Sequence, residues 1–313
     1  MNYLYAFGFP PEEEAFCRLE QRMLFGKDCG SDWNYLISDV EVPVARSPFI
    51  RFRLDVLVEA SSEEELVAFA NTHSIAGQTF KVVSLNEKPL GAQPKITLNE
   101  RRALEMAVGS VIDGEPELFT PQLELGVVKI EDKYYLGQMH TSESVWLKHI
   151  DRPVPYSTAL SAKHARALVN ITAPKLDGVR VIDPCCGVGT VVIEALSMGA
   201  NMLGRDMNWF VAGGSRKNLA HFGYEGTIEL GPIEEVTEHY DAAIIDMPYN
   251  LFTHSTDVNK QSIIRNARRI ADRVVFVSSE DLHAEIVAEG FDVVDGCIVT
   301  KQKFHRNVYV CNA

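Results

Sequence analysis

The sequence predicts an α/β protein in two parts, an α+β region followed by a parallel sheet with helices on both faces. Three observations predict this arrangement. From residue 178 onward, strand-like and helix-like runs alternate regularly, as they do in parallel sheets. Before residue 150 the runs follow a mixed order. The final stretch, "FDVVDGCIVTKQKFHRNVYVCNA" (291–313), holds two strand runs with no helix between them, which predicts a terminal antiparallel hairpin.

The amino-terminal part mixes strands and helices. Strands are predicted over "YLYAFGF", "FIRFRLDVLVEA" and "TFKVVSL", and the second alternates apolar and polar residues at period two. Helices are predicted over "PEEEAFCRLEQRMLF", "SSEEELVAFANTH" and "TLNERRALEMAVGSVI". Ser62 with Glu65 has the spacing of a capping box. "LELGVVKIEDKYYLGQM" predicts a hairpin that turns near Glu131–Asp132, which completes an α+β domain over residues 1–150.

The middle of the chain predicts a linker and a helix over residues 151–177. Two prolines in "DRPVPYS" favour a sharp turn, and "STALSAKHARALVNIT" is an alanine-rich helical run. Residues 178–313 then form the second domain. Its strands are predicted over "VRVID", "NMLGRD", "GTIEL", "DAAIIDM" and "RVVFVSS", and its helices over residues 189–199, 207–222, 257–271 and 280–290. With the two hairpin strands, the predicted sheet has seven strands.

The composition favours a soluble, cytoplasmic protein. Hydrophobic residues make up 46% and charged residues 23% of the 313 residues, and no apolar run reaches the length of a membrane-spanning helix. The first residues lack the basic region of a signal peptide. Six scattered cysteines without a CxxC pair predict neither a disulfide framework nor a metal site. The net charge of −13 is unfavourable for binding nucleic acid, so a basic surface would have to be assembled locally.

The stretch "VIDPCCGVGTVVIEA" (181–195) predicts a ligand-binding turn between a strand and a helix. Gly187 and Gly189 permit positive φ and close approach of the backbone. A P-loop is excluded because GxxxxGK[ST] is absent, and the GxGxxG fingerprint lacks its third glycine, since residue 192 is valine. Asp183 at the strand end would oppose a pyrophosphate but would tolerate a cationic nucleoside cofactor. A turn that only packs a helix on the sheet stays open as the alternative.

A second acid supports a nucleoside ligand. Asp206 ends the next predicted strand, where a carboxylate can accept hydrogen bonds from both ribose hydroxyls. Cys185 and Cys186 show no activating constellation, so a role in the pocket wall is favoured over nucleophilic catalysis.

The stretch "DAAIIDMPYN" (241–250) ends the fourth predicted strand of this domain in Asp246–Met247–Pro248–Tyr249. Together with the Asp183 turn and Asp206, it resembles the motifs of the S-adenosylmethionine-dependent amino methyltransferases. "RPVPYSTALSAKHARALVNI", "DPCCGVGTVVIEALSMGANMLGRDMN" and "RKNLAHFG" are similar to segments of the THUMP-domain tRNA guanosine-N2 methyltransferases, and "ALEMAVGSVIDGEPELFTPQLELGVVKIEDKYYLGQ" is similar to the end of a THUMP domain. The chain departs from the family at Met247, where a proline is usual, and at Gly231–Pro232, where an acid is usual.

The resemblance implies a Rossmann-like methyltransferase sheet, preceded over residues 1–150 by an α+β RNA-binding region that is ferredoxin-like plus THUMP-like. It also implies a set of site residues. Catalysis would use Asp246, Met247, Pro248 and Tyr249, and S-adenosylmethionine would be bound by Asp183, Cys185, Gly187, Gly189, Thr190, Asp206 and Met207. By the same resemblance, the Asp246 carboxylate and the carbonyl of Met247 accept hydrogens of the target amine, while Tyr249 stacks on the base.

The implied reaction is methyl transfer to N2 of a guanosine in tRNA or another structured RNA. Three alternatives remain open at the level of sequence: a guanosine in ribosomal RNA, the N6 amine of adenine, and a non-catalytic RNA-binding protein that kept the fold. The sequence also leaves open a homodimer or a partner subunit.

Overall fold

The computed structural model describes residues 1–30, 34–85, 97–157, 159–248, 257–301 and 304–313, with the backbone alone for 257–259, 301 and 304. The chain divides into two compact units. The first unit comprises Met1–Gly8, Cys29–Ala45 and Phe49–Glu143, and the second comprises Phe9–Asp28, Arg46–Pro48 and Ser144–Ala313. This division differs from one at residue 150, because residues 9–28 pack within the second unit.

The described residues form eight helices and fourteen strands. The helices are α1 (Glu14–Phe25), α2 (Glu63–Thr72), α3 (Leu98–Gly109), α4 (Ala162–Thr172), α5 (Thr190–Ser197), α6 (Trp209–Phe222), α7 (Asp257–Ile270) and α8 (His283–Ala288). The strands are β1 (Tyr3–Phe7), β2 (Tyr35–Ser38), β3 (Ile50–Ala60), β4 (Ser74–Ser84), β5 (Asp113–Pro116), β6 (Leu123–Ile130), β7 (Lys133–Thr141), β8 (Arg180–Asp183), β9 (Asn201–Asp206), β10 (Thr227–Leu230), β11 (Tyr240–Asp246), β12 (Ala271–Ser278), β13 (Asp292–Lys301) and β14 (Phe304–Asn312).

The first unit is a seven-stranded sheet in the order β2-β1-β3-β7-β6-β4-β5. Apolar residues of α2 and α3, such as Leu66 and Leu104, share a core with its strands. The predicted β6–β7 hairpin is confirmed, and it turns at Glu131, whose φ is 53°. The predicted cap at α2 differs in one bond: Ser62 Oγ accepts from the N–H of Glu65, but the Glu65 carboxylate accepts from Ser61. The sequence did not predict β2 or β5, both short strands of four residues.

The second unit contains the predicted α/β sheet, in the order β10-β9-β8-β11-β12-β14-β13. The strands from β10 to β12 pair in parallel, and β14 joins β12 antiparallel. The predicted seven strands and their terminal hairpin are thus confirmed. Strand order reverses at β8, with β9 on one side and β11 on the other. In such sheets ligands bind beyond the carboxyl ends of the strands at this point.

The core of the second unit fixes that edge of the sheet. The two central strands, β11 and β12, contribute fully buried side chains such as Ile245 and Phe276, and α7 covers them with Ile264 and Ile270. The helix predicted from residue 157 begins only at Ala162, where Ser161 Oγ caps it by accepting from the N–H of His164.

Among the helices that the structure describes, none has the length and apolar character to cross a bilayer.

Candidate functional site

A cavity of about 530 Å³ opens at the carboxyl ends of β8, β9 and β11. This volume lies within the range of small-molecule and cofactor pockets. The predicted site residues that line it are Asp183, Cys185, Gly187, Thr190, Asp206, Met207, Asp246, Met247 and Pro248. Gly189 lies behind this lining at the start of α5, and Tyr249 lies outside the described residues. The structure therefore brings nine of the eleven predicted residues to one cavity.

The turn after β8 is held by its own backbone and by the neighbouring strand. Asp183 Oδ1 accepts from the N–H of Cys185 at 3.1 Å, and the N–H of Cys186 donates to the carbonyl of Arg205 at 2.9 Å. The N–H of Gly189 returns to the carbonyl of Cys186 at 2.8 Å, which closes the turn into α5. These bonds fix the loop that faces the cavity.

The two glycines of the turn serve different purposes. Gly187 has a φ of 55° and open space where a Cβ would stand, so its backbone can face a ligand directly. Gly189 has a φ of 82°, and a Cβ there would lie 2.2 Å from Ser215 Oγ. Gly189 is therefore required by the packing of α5 against α6, whereas Gly187 leaves the cavity open.

Asp206 is oriented by backbone donors on both sides. Its Oδ2 accepts from the N–H of Gly187 at 2.9 Å, and its Oδ1 accepts from the N–H of Asn208 at 2.8 Å. Each carboxylate oxygen has two lone pairs, so each retains capacity for a further donor. This geometry suits a ligand that presents two hydroxyl groups to the end of β9.

The cavity favours a cation. Asp183 is only 2% exposed, and this burial raises its pKa well above the ordinary range. The hydrogen bond from the N–H of Cys185 lowers the pKa, whereas the negative charges of Asp246 and Asp206 raise it further. Burial also raises the pKa of the Cys185 and Cys186 thiols, again reinforced by Asp183. These thiols are held protonated, which disfavours a nucleophilic role. A bound positive charge would instead stabilise the carboxylates.

Asp246 ends β11 and is followed by Met247 and Pro248, and all three line the cavity with Asp183 and Asp206. The side chain of Met247 is buried in the core, and its N–H donates to the carbonyl of Val277 at 2.8 Å. A proline could not make this bond. The bond continues the pairing of β11 with β12 by one residue, so it restrains the backbone where the related motif relies on a proline ring.

An acidic side chain does line the cavity beyond β10, although the sequence analysis found none at Gly231–Pro232. Glu234, in the 3-10 turn Ile233–Glu235, contributes to the lining, and its Oε1 accepts from Ser262 Oγ of α7. Gly231 is needed for another reason, since a Cβ there would lie 2.2 Å from the Arg205 guanidinium.

A family model decides what kind of site this is. Residues 150–291 match the model described as UPF0020, RMKL-like, methyltransferase domain. This stretch contains β8, β9, β11 and every residue that lines the cavity. Residues 150–291 are a methyltransferase domain.

Relatives of known name match about half of the chain. The tRNA (guanine(10)-N2)-dimethyltransferase of Methanothermobacter thermautotrophicus is 28% identical over 180 residues, covering 53% of this chain and 52% of the relative. The enzyme of the same name from Methanocaldococcus jannaschii is 26% identical over 169 residues, covering 48% of each chain. The chain thus spans about half the length of these curated relatives. The crystal structure of TrmN from Thermus thermophilus aligns with a TM-score of 0.49 at 18% identity, covering 100% of this chain and 99% of that one.

The segment of residues 149–157, which we call the strap, lies against α5 and α6. Asn218 of α6 is fully buried and holds the strap at Val154: its Oδ1 accepts from the Val154 N–H at 2.9 Å, and its Nδ2 donates to the Val154 carbonyl at 3.0 Å. The same Nδ2 donates to the carbonyl of Val188 at 3.0 Å, between the two glycines of the turn. Arg152 adds a bond to Thr190 Oγ1. One side chain therefore joins the strap to the glycine turn.

The start of the strap is fixed by a buried polar cluster. His149 Nδ1 lies 2.6 Å from Glu194 Oε1, and its Nε2 lies 2.9 Å from the hydroxyl of Tyr224. Arg166 donates to the other oxygen of Glu194 at 2.7 Å. Since Glu194 belongs to α5, the cluster anchors the strap on the helix that follows the glycine turn.

Several lining residues were not predicted from the sequence. They are Tyr156, Ala159, Leu160, Asn208, Val211, Glu234, Lys260 and Ile263, together with other neighbours of the predicted residues. The resemblance of residues 152–171 to a segment of the family covers the first three but gave them no role in the site, and no pattern singled out Lys260. Trp209 and Phe210 do not line the cavity and are 73% and 66% exposed.

Proposed function

We propose that this chain transfers a methyl group from S-adenosylmethionine to the exocyclic N2 amine of a guanosine in tRNA. The observation that carries the proposal is the convergence of Asp183, Asp206 and Asp246 on one cavity of a methyltransferase domain. The names of the curated relatives support the choice of base and RNA. The six cysteines, none of which forms a disulfide in the part of the chain that the structure describes, accord with a reducing, cytoplasmic setting.

The cavity provides suitable partners for such a cofactor. Its positive charge would meet Asp183, and the ribose hydroxyls would donate to the free lone pairs of Asp206. When bound, S-adenosylmethionine supplies an electrophilic methyl group on a sulfonium. Gly187, with no side chain, leaves room for the ligand beside the turn. The methionine side chain at position 207 is 75% exposed at the rim and can cover an adjacent ring.

The end of β11 would act on the base. An exocyclic amine of guanine is a weak nucleophile because its lone pair is delocalised into the ring. The Asp246 carboxylate and the Met247 carbonyl would accept hydrogen bonds from the amine's two N–H groups and direct the lone pair at the methyl group. Positioning of this kind accounts for much of the rate that enzymes gain in group transfer. The target base must leave its stack to enter the cavity.

The direct test is to incubate the full chain with isotopically labelled S-adenosylmethionine and unfractionated tRNA, and to analyse the nucleosides by mass spectrometry. We expect labelled N2-methylguanosine or its dimethyl form. Labelled N6-methyladenosine in its place would assign the site to adenine. Absence of label from tRNA and ribosomal RNA, with no cofactor binding at millimolar concentration, would leave a non-catalytic RNA-binding protein.

The cofactor site has its own test in Asp206→Ala. Loss of charge-assisted hydrogen bonds of roughly 1.5–3 kcal/mol should raise the S-adenosylmethionine Kd about 10- to 100-fold in calorimetric titration. Asp177→Ala, an exposed acid before β8, is the matched control and should leave the Kd unchanged. Equal Kd values in the two variants would contradict the ribose assignment.

A further inference from the structure

The carboxyl-terminal hairpin extends past the edge of the sheet at which the cavity opens. Val277 of β12 pairs with Asp246 on one side and with Val308 on the other, so Asp246 and Val308 stand at the same level of the sheet. The last pair between β12 and β14 is Ser278 with Asn307. Beyond it, Val299–Lys301 pair only with Phe304–Arg306. This overhang, Val299–Lys301 with Phe304–Arg306, rises above the carboxyl ends of the parallel strands.

Strand geometry places the overhang beside the cavity. Arg306 lies two residues from Val308, which carries it roughly 7 Å beyond the level of Asp246 at about 3.3 Å per residue. Arg306 also lies two strands away from Asp246, or about 10 Å at the usual spacing between strands. The overhang therefore stands next to the end of β11, on the side away from β8 and β9.

The charge of this segment differs from that of the whole chain. Residues 296–313 contain no Asp or Glu, although the protein has 43 acidic and 30 basic residues. The overhang carries Lys301, His305 and Arg306, and His305 is exposed. Because successive strand residues face opposite sides, His305 and Arg306 put basic groups on both faces of the hairpin.

The acids that follow β12 are already engaged. Glu280 pairs with Lys260, and Asp281 accepts from the Tyr309 hydroxyl at 2.7 Å and from the N–H of His283 at 3.0 Å. Lys260 also lines the cavity, where it is the one Lys or Arg among the described lining residues. Lys260 thus adds a basic residue, paired with Glu280, at the cavity itself.

We propose that the overhang binds the phosphodiester backbone of the RNA next to the target nucleotide. The inference rests on the proposed function, since it requires a nucleic acid whose base enters the cavity. Phosphate contacts supply much of the affinity of proteins for nucleic acids and set the register of the chain on its target. In a protein of net charge −13, a local basic element beside the cavity provides this attraction where the reaction needs it.

The test uses Lys301→Gln combined with Arg306→Gln in the full chain. Binding of fluorescently labelled, unfractionated tRNA is measured by polarisation at several KCl concentrations. We expect the Kd for tRNA to rise roughly tenfold and the slope of log K against log salt to become shallower by about 1–2, as each lost phosphate contact removes about 0.7–0.9. The Kd for S-adenosylmethionine should not change. Lys301→Gln alone should give about half of the effect on the slope.

The matched control is Lys175→Gln with Arg268→Gln, two exposed basic residues at the amino-terminal edge of the same sheet. It removes the same charge and should leave the slope unchanged. Identical slopes in wild type, hairpin variant and control would overturn the inference, even if wild type methylates tRNA. The opposite outcome is a slope that changes in the hairpin variant although wild type methylates no RNA. That outcome would overturn the proposed function but support the contact between the overhang and RNA. Failure of wild type to bind tRNA would overturn both.

Discussion

At the scale of the residue, Met247 shows how a motif can change without losing its geometry. Met247 departs from the motif that this stretch resembles, in which proline is usual at this position. In the structure its N–H bonds to Val277 and its side chain fills the core. The carbonyl that the proposed reaction needs is a backbone group, so the substitution leaves it in place. In this chain a hydrogen bond and a buried side chain restrain the backbone in place of the proline ring.

Met247→Pro is therefore expected to destabilise this chain rather than improve it. The change leaves the Val277 carbonyl without its donor and removes buried volume, and together these should lower the free energy of unfolding by roughly 3 kcal/mol. Urea denaturation measures this. Met247→Leu keeps the N–H and the volume, and should cost less than about 1.5 kcal/mol. Equal stability of the proline variant and wild type would show that the bond to Val277 does not restrain the motif.

At the scale of the element, the cavity depends on how the strap, α5 and α6 are joined. The strap has no regular secondary structure beyond its first turn, yet its polar groups meet buried partners at His149, Arg152 and Val154. Asn218 is the common point, since it bonds to the strap and to the glycine turn. Order in the strap and order in the glycine turn are thus coupled.

Asn218→Ala should release both segments. Three hydrogen bonds are lost, and the buried backbone groups left behind should lower the free energy of unfolding by roughly 2–4 kcal/mol. We also expect a Kd for S-adenosylmethionine about tenfold higher and faster proteolytic cleavage within residues 149–157, measured at a temperature where the variant is folded. Asn266→Ala serves as the control, because that amide donates only within α7. A variant with normal cofactor affinity and normal cleavage would show that the strap does not depend on Asn218.

At the scale of the whole molecule, the second unit is assembled from distant parts of the chain. Glu20 of α1 is fully buried, where it accepts from Asn170 Nδ2 of α4 at 2.6 Å and from Ser47 Oγ at 2.5 Å. Arg46 donates to Asn170 Oδ1 at 2.5 Å. One buried carboxyl therefore links residues 9–28, 46–48 and the body of the unit.

This carboxyl makes the stability of the fold depend on pH. Burial raises the pKa of Glu20 from 4.5 to about 7, although the hydrogen bonds from Asn170 and Ser47 act to lower it. The folded state then holds a proton that the unfolded state has lost, so this contribution is complete below pH 4.5 and disappears as the pH rises through 7. Wild type should lose about 3 kcal/mol of unfolding free energy between these values.

The check is denaturant unfolding across that pH range in wild type and Glu20→Gln. The variant has no proton to lose at this position, so its stability should fall less with rising pH. Glu63→Gln, an exposed acid of the first unit, should behave as wild type. Parallel pH profiles for wild type and Glu20→Gln would show that Glu20 does not titrate in this range.

The edge of the sheet at which the cavity opens could be predicted from the sequence because of a regularity of parallel sheets. Strands that run in one direction end on one side, so the order of the strands along the chain is enough to place Asp183, Asp206 and Asp246 together. Glu234, Lys260 and the bonds of Asn218 could not be predicted in this way. They depend on how helices and turns pack around the sheet, and a single polar residue in a helix carries no periodic signal of its partner. The place of α1 in the second unit depends on packing in the same way.

That place has a consequence for biosynthesis. α1 is synthesised before its partners in the second unit, since its Glu20 meets Asn170 across 150 residues of chain and its Arg22 meets Asp295 across 273. Until α4 has been synthesised, the nascent helix has an apolar face, with Phe16 and Leu19, that lacks its neighbour in the fold. The contacts of α1 in the second unit can thus be completed only after synthesis of β13. A shortened protein started near residue 150 would be made without this helix and would expose the surface that it covers.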